Sequence, residues 1–136
     1  MKKFLVLIGF ITLLVGLVWT AQAWKTWRAQ ARAVKYNEDV DNLFIALQKF
    51  KEHVGAYPRG DNAAIVRALK GQNPKNIIIL VGRKNETNDK GELVDPWGTA
   101  LRVYFTDSGI LVRSAGPNRR FDDSTVIDCD DFFKSN

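Results

Sequence analysis

The feature that most constrains this chain is an apolar run near its start that passes without a break into helix-forming sequence. Phe4 to Trp19 is sixteen residues without a charge, preceded by Lys2 and Lys3. Thr20 to Ala23 extend the run to about twenty, the length a helix needs to cross a bilayer. No Gly, Pro or turn cluster interrupts the chain after Trp24, and Trp24 to Ala31 is good helix composition. The residues leave two outcomes open. Ala21-Gln22-Ala23 has the small-x-small spacing of a signal-peptidase site, which would make Trp24 the first residue of a secreted protein. A retained anchor would instead place Trp24 and Trp27 in an interfacial aromatic belt, with Lys25 and Arg28 reaching headgroups. A signal peptide needs no continuing helix, which favours the anchor. The expected division is 1–24, an anchor or signal segment, and 25–136, a head that includes the C-terminal half of a long helix.

Charge is distributed in the same way. The net charge is +5, yet residues 1–35 hold Lys2, Lys3, Lys25, Arg28, Arg32 and Lys35 and no acid. The remainder carries 14 basic and 15 acidic side chains. The excess therefore brackets the apolar run and is not a basic stripe on the folded part, which argues for a membrane and against nucleic acid. Cations on both flanks leave the orientation open from charge alone.

In the head, Val40, Leu43, Phe44, Leu47, Phe50 and Val54 step by three and four, one buried face of a helix that Gly55 stops. Asp61 or Asn62 caps a second helix over Ala63 to Leu69, ended by Gly71. Asn76 to Val81 reads as a short buried strand or extended segment, and Lys84 to Gly91 as a surface loop. Leu101 to Thr106 and Ile110 to Ala115 flank Asp107-Ser108-Gly109, a hairpin signal. Leu101, Val103 and Phe105 should face the helix, with Arg102 and Tyr104 outward. A helix lying across an antiparallel sheet buries both apolar faces, so the fold class is α+β.

Three pieces of sequence, in order, resemble the major pseudopilin of type II secretion systems. They are the helix end running to Gly55-Ala56-Tyr57-Pro58, then Asp95-Pro96-Trp97-Gly98 leading into a strand, then Ser114-Ala115-Gly116-Pro117-Asn118 before an acidic tail. Together they cover roughly residues 30–131. The resemblance implies a pilin-like fold, a long N-terminal helix packed on a small antiparallel sheet. It implies a single-pass protein of the bacterial inner membrane with its head in the periplasm. Its partners would be other pseudopilin subunits and the secretion machinery. It adds a third fate for the leader, cleavage between Gly9 and Phe10 by a prepilin peptidase. At the position where the family carries an intramembrane glutamate this chain has Leu14, and no acid occurs before Glu38. The alternative function is a soluble pilin-like binding module, secreted or periplasmic, released by cleavage after Ala23.

The tail holds the one chemical candidate. Asn118, Asp122, Asp123, Asp128, Asp130 and Asp131 fall within fourteen residues. Calcium takes roughly six to eight oxygens, several of them carboxylate, in flexible geometry. The resemblance also implies calcium after the Gly-Pro motif, so Asp122, Asp123, Asp128, Asp130 and Asp131 are the candidate ligands. The bland alternative is a solvated acidic terminus offset by Arg119 and Arg120. Asp95-Pro96-Trp97-Gly98 reads as structure, with Pro96 and Gly98 setting a turn and Trp97 anchoring the core. Cys129 is the single cysteine, a thiol with no zinc pattern around it. His53 is the single histidine, expected in solvent and without a third group to make it a base for Cys129. Ser108 and Ser114 lack a nucleophile elbow, and no phosphate-cradling Gly-rich loop occurs. The expectation is a structural protein, not an enzyme, with no small-molecule substrate.

Overall fold

A computed structural model describes residues 2–80, 86–106, 109–122 and 129–136, and within 2–21 the side chains only at Trp19 and Thr20. The chain divides into two compact units, Met1–Val34 and Lys35–Asn136. Helix α1 (Lys2–Val54) supplies residues 2–34 of the first and opens the second. In the first unit Trp19, Trp24, Trp27 and Val34 are exposed, and the Arg28 guanidinium lies 5.0 Å from the Trp24 ring. Among the described residues no helix is long and apolar enough to cross a membrane. The run expected to anchor the chain, including Gly9, Phe10 and Leu14, lies mostly outside the side chains described.

The second unit is α+β. Strands β1 (Arg102–Thr106), β2 (Gly109–Ser114) and β3 (Phe132–Ser135) form one antiparallel sheet in the order β1-β2-β3. The expected hairpin is present, with Thr106 opposite Gly109; the two residues between them are outside the described set. Val103 and Phe105 are half-buried against the core and Arg102 and Tyr104 exposed, as the alternation requires. β3 has no counterpart among the expected elements, where it belongs to the acidic tail. It pairs with β2 through Leu111–Ser135 and Ser114–Phe132, as the third strand of the sheet.

On this sheet lies the end of α1. Tyr36, Val40, Leu43, Phe44, Leu47 and Phe50 are buried in one cluster with Ile110, Val112, Trp97 and Leu101. The buried face is the predicted one, but it begins one turn earlier, at Tyr36, four residues before Val40. Gly55 ends the helix at φ +100°, its N–H donating to the Lys51 carbonyl at 2.8 Å. Tyr57 then stacks on Phe105 with ring centroids 5.2 Å apart, and Pro58 is buried.

Helix α2 (Asn62–Leu69) starts at Asp61, whose carboxylate accepts the Ala64 N–H at 2.8 Å, and it buries Ala63, Ile65, Val66 and Leu69. Residues 76–80 form no strand and are not fully buried: Asn76 is left-handed at φ +51°, and Ile78 is exposed and bridges only Lys70. The Ile79 and Leu80 N–H groups share the Leu69 carbonyl, while Val81 lies outside the described residues. Asn73 locks this turn. Its amide donates to the Ala68 and Ile77 carbonyls, and its carbonyl oxygen accepts from the Lys75 and Ile77 N–H groups.

Candidate functional site

The second and third motifs meet at two polar clusters in the second unit. Asp95 anchors the first and is buried. Its Oδ1 accepts the Trp97 N–H at 3.0 Å and the Thr99 N–H at 2.8 Å, which closes the turn that Pro96 and Gly98 shape. Gly98 has φ +91°, a conformation that side chains resist. Asp95 Oδ2 accepts the Ser114 hydroxyl at 2.7 Å, and Ser114 Oγ accepts the Gly116 N–H at 3.0 Å. A buried carboxylate is thus satisfied by three donors and ties the Trp97 turn to the Gly-Pro turn.

Trp97 stacks on Phe132 at 5.1 Å, and Tyr36 packs against the same Phe132 ring at 5.5 Å. The Tyr36 hydroxyl is placed to donate to the Val112 carbonyl at 3.1 Å or the Phe132 carbonyl at 3.2 Å. Burial pushes this phenol well above its usual value, and the Asp95 carboxylate adds to the shift in the same direction.

The second cluster is centred on Arg113. Its guanidinium pairs with Asp131, whose side chain is 0% exposed, and also donates to the Asp122 carbonyl. Asp131 Oδ1 accepts the Asp122 N–H at 3.3 Å. Asp130 Oδ2 accepts the Asn118 N–H at 3.0 Å, and the Asn118 amide donates to Asp122 Oδ2 at 2.7 Å. Gly116 lies so close to the Asp130 carbonyl that any Cβ would overlap it. Arg113 also lies 5.4 Å from the Phe121 ring and 5.0 Å from Phe133, while Arg102 sits 3.8 Å from Phe121.

The described part of the tail is therefore not a solvated terminus, and the cation offsetting Asp131 is Arg113 in place of Arg119 or Arg120. Asp122, Asp130 and Asp131 come together; Asp123 and Asp128 lie outside the described residues. Polar atoms of Asp122, Cys129 and Asp131 lie within 4.8 Å of one another. A thiol is a poor partner for a hard cation, and Asp131 is already held by Arg113. Asp130 Oδ1 is buried with no hydrogen-bond partner among the described residues. It is one free carboxylate oxygen, too few by itself for calcium. His53 is exposed, its carbonyl accepting from Lys75. Ser114 is buried as an acceptor and donor within the Asp95 cluster. Ala23 and Trp24, the alternative processing site, lie within the helix, with Trp24 exposed.

No protein-family model, no curated protein and no solved structure matches this chain. The geometry stands alone, and what it assigns to the motif residues is mostly architecture. Tyr57, Pro58, Asp95, Trp97, Gly98 and Gly116 pack, cap or turn. Tyr36, Asn62, Arg113 and Phe132 carry equal weight, although no sequence motif marks them. Asn62 donates to the Leu93 and Leu101 carbonyls and accepts the Leu93 N–H at 2.7 Å, which fastens α2 to the segment before β1. Their signals in the sequence are weak: Tyr36 extends a helical face, and Phe132-Phe133 comes just after Asp130-Asp131.

Proposed function

We propose that this chain is a membrane-anchored structural subunit of a pilin-like assembly of the pseudopilus type, working in type II protein secretion. The observation that carries the reading is α1, one helix from Lys2 to Val54 that holds both the charge-free run and the face packed on the head's sheet. Support comes also from the three motifs, whose side chains close a core and leave few polar groups uncommitted. The proposed location is the bacterial inner membrane, single-pass, with the head in the periplasm. The proposed partners are further copies, related subunits and the secretion machinery. No catalytic role is part of this reading. Calcium enters it as a ligand of the tail, with Asp130 Oδ1 the best-supported donor.

Two measurements test it together. N-terminal sequencing of the mature protein is expected to give a start at Phe10; an intact Met1 would favour an anchored protein that does not polymerise. Cross-linking Ile45→Cys, made in a Cys129→Ala background, is expected to give a ladder of multiples in membranes, since Ile45 is exposed on α1. A start at Trp24 with no ladder would replace this reading by the soluble module. One observation favours that second reading: the buried core of the head begins at Tyr36, beyond the Ala23 cut.

A further inference from the structure

Between Trp24 and Lys35, α1 carries two stripes side by side. Trp24, Trp27, Ala31 and Val34 are separated by three, four and three residues, and Lys25, Arg28, Arg32 and Lys35 repeat the same steps one residue later. One residue is about 100° around a helix, so an apolar row and a cationic row run parallel along neighbouring faces. Thr26, Ala29, Gln30 and Ala33, all uncharged, fill the rest. The apolar row is open: Trp24 is 61% exposed, Trp27 66% and Val34 57%. Lys35 pairs with Asp39 at 2.6 Å, whereas Lys25, Arg28 and Arg32 have no ion pair among the described residues.

The charge pattern selects the occupant. With no acid anywhere in residues 1–35, a second copy laid along the apolar row would bring two cationic rows together. An anionic lipid surface answers both rows at once. Indole rings settle at the boundary between acyl chains and headgroups, and flanking cations meet phosphates. We infer that residues 24–34 form a docking surface for anionic phospholipid headgroups, with Lys25, Arg28 and Arg32 supplying the selectivity and Trp24 and Trp27 the apolar contact. This deepens the membrane attachment proposed above and rests on it only in requiring a bilayer within reach.

The test is a competition of the full chain between two vesicle populations of different density, one of phosphatidylcholine and one containing phosphatidylglycerol, separated by centrifugation. The ratio between them cancels whatever the apolar run contributes equally to both. The expected preference for the anionic vesicles is about hundredfold, from three charges near the surface, and it should shrink with added salt. The triple variant Lys25→Gln, Arg28→Gln, Arg32→Gln should bring the ratio close to one while the chain stays vesicle-bound and its head melts as before. Equal partition of the unaltered chain would overturn the inference, as would a triple variant that keeps its preference. So would copies cross-linked through the Trp24–Trp27 row in neutral vesicles without any anionic preference. A chain found with neither population overturns the membrane reading along with this one, which separates the two failures.

Discussion

Asp95 is the residue on which the head's loops converge, through the Trp97 and Thr99 N–H groups and the Ser114 hydroxyl. Asp95→Ala removes a charged acceptor and leaves these donors buried, so the loss in urea denaturation should be about 3 kcal/mol. Ser114→Ala should cost about 1 kcal/mol alone and less in the Asp95→Ala background, because the two share one bond. Tyr36 makes a pH prediction. Its folded pKa is raised, so the neutral phenol is favoured in the folded chain. The stability this contributes is whole below the unfolded value near 10 and is lost progressively as pH rises beyond it. Unfolding midpoints followed from pH 8 upward should therefore fall more steeply for the native chain than for Tyr36→Phe. Parallel curves would mean that the Tyr36 hydroxyl ionises in place.

Among the elements, those with strong local periodicity are legible in the sequence. The end of α1, α2 with its Asp61 cap, and the β1–β2 hairpin all have a repeating apolar pattern or a turn signal within one short window. β3 has neither. Four residues long and preceded by acids, it is a strand only because β2 offers an open edge and Trp97 and Tyr36 offer Phe132 a place to pack. The same holds for the polar clusters: the Arg113–Asp131 pair spans 18 positions and is produced by the β2–β3 register, which no local pattern encodes. Phe132→Ala should cost less than the roughly 3–5 kcal/mol expected of the buried Trp97→Ala, since Phe132 is half-buried, and the double variant less than the sum, as denaturation curves would reveal. A solvated tail would instead make Phe132→Ala nearly neutral. The proposed calcium gives a separate outcome at this scale. A metal bound only by the folded chain raises stability by mass action, so the melting midpoint should rise with calcium and fall with chelator. Identical midpoints in both would leave the tail held by its own contacts, Arg113 and the β2–β3 pairing among them.

For the molecule as a whole, the division at Val34 and Lys35 has a direct consequence. Among the described residues, every buried apolar residue of the core lies from Tyr36 onward. A fragment starting at Lys35 should fold alone, with near-ultraviolet circular dichroism and a urea midpoint matching those of the head in the full chain; a fragment without a cooperative transition would show that the preceding helix is needed. Long-range closure also sets an order of events. Tyr36 meets Phe132 across 96 positions, and synthesis delivers Tyr36 first. A ribosome that has released everything up to Ser114 has produced the helices and the hairpin, yet the slot between Trp97 and Tyr36 is still empty. The nascent head stays open to proteases, chaperones and translocation channels until its closing strand arrives, and Phe132, synthesised after both Tyr36 and Trp97, is the ring that shuts it.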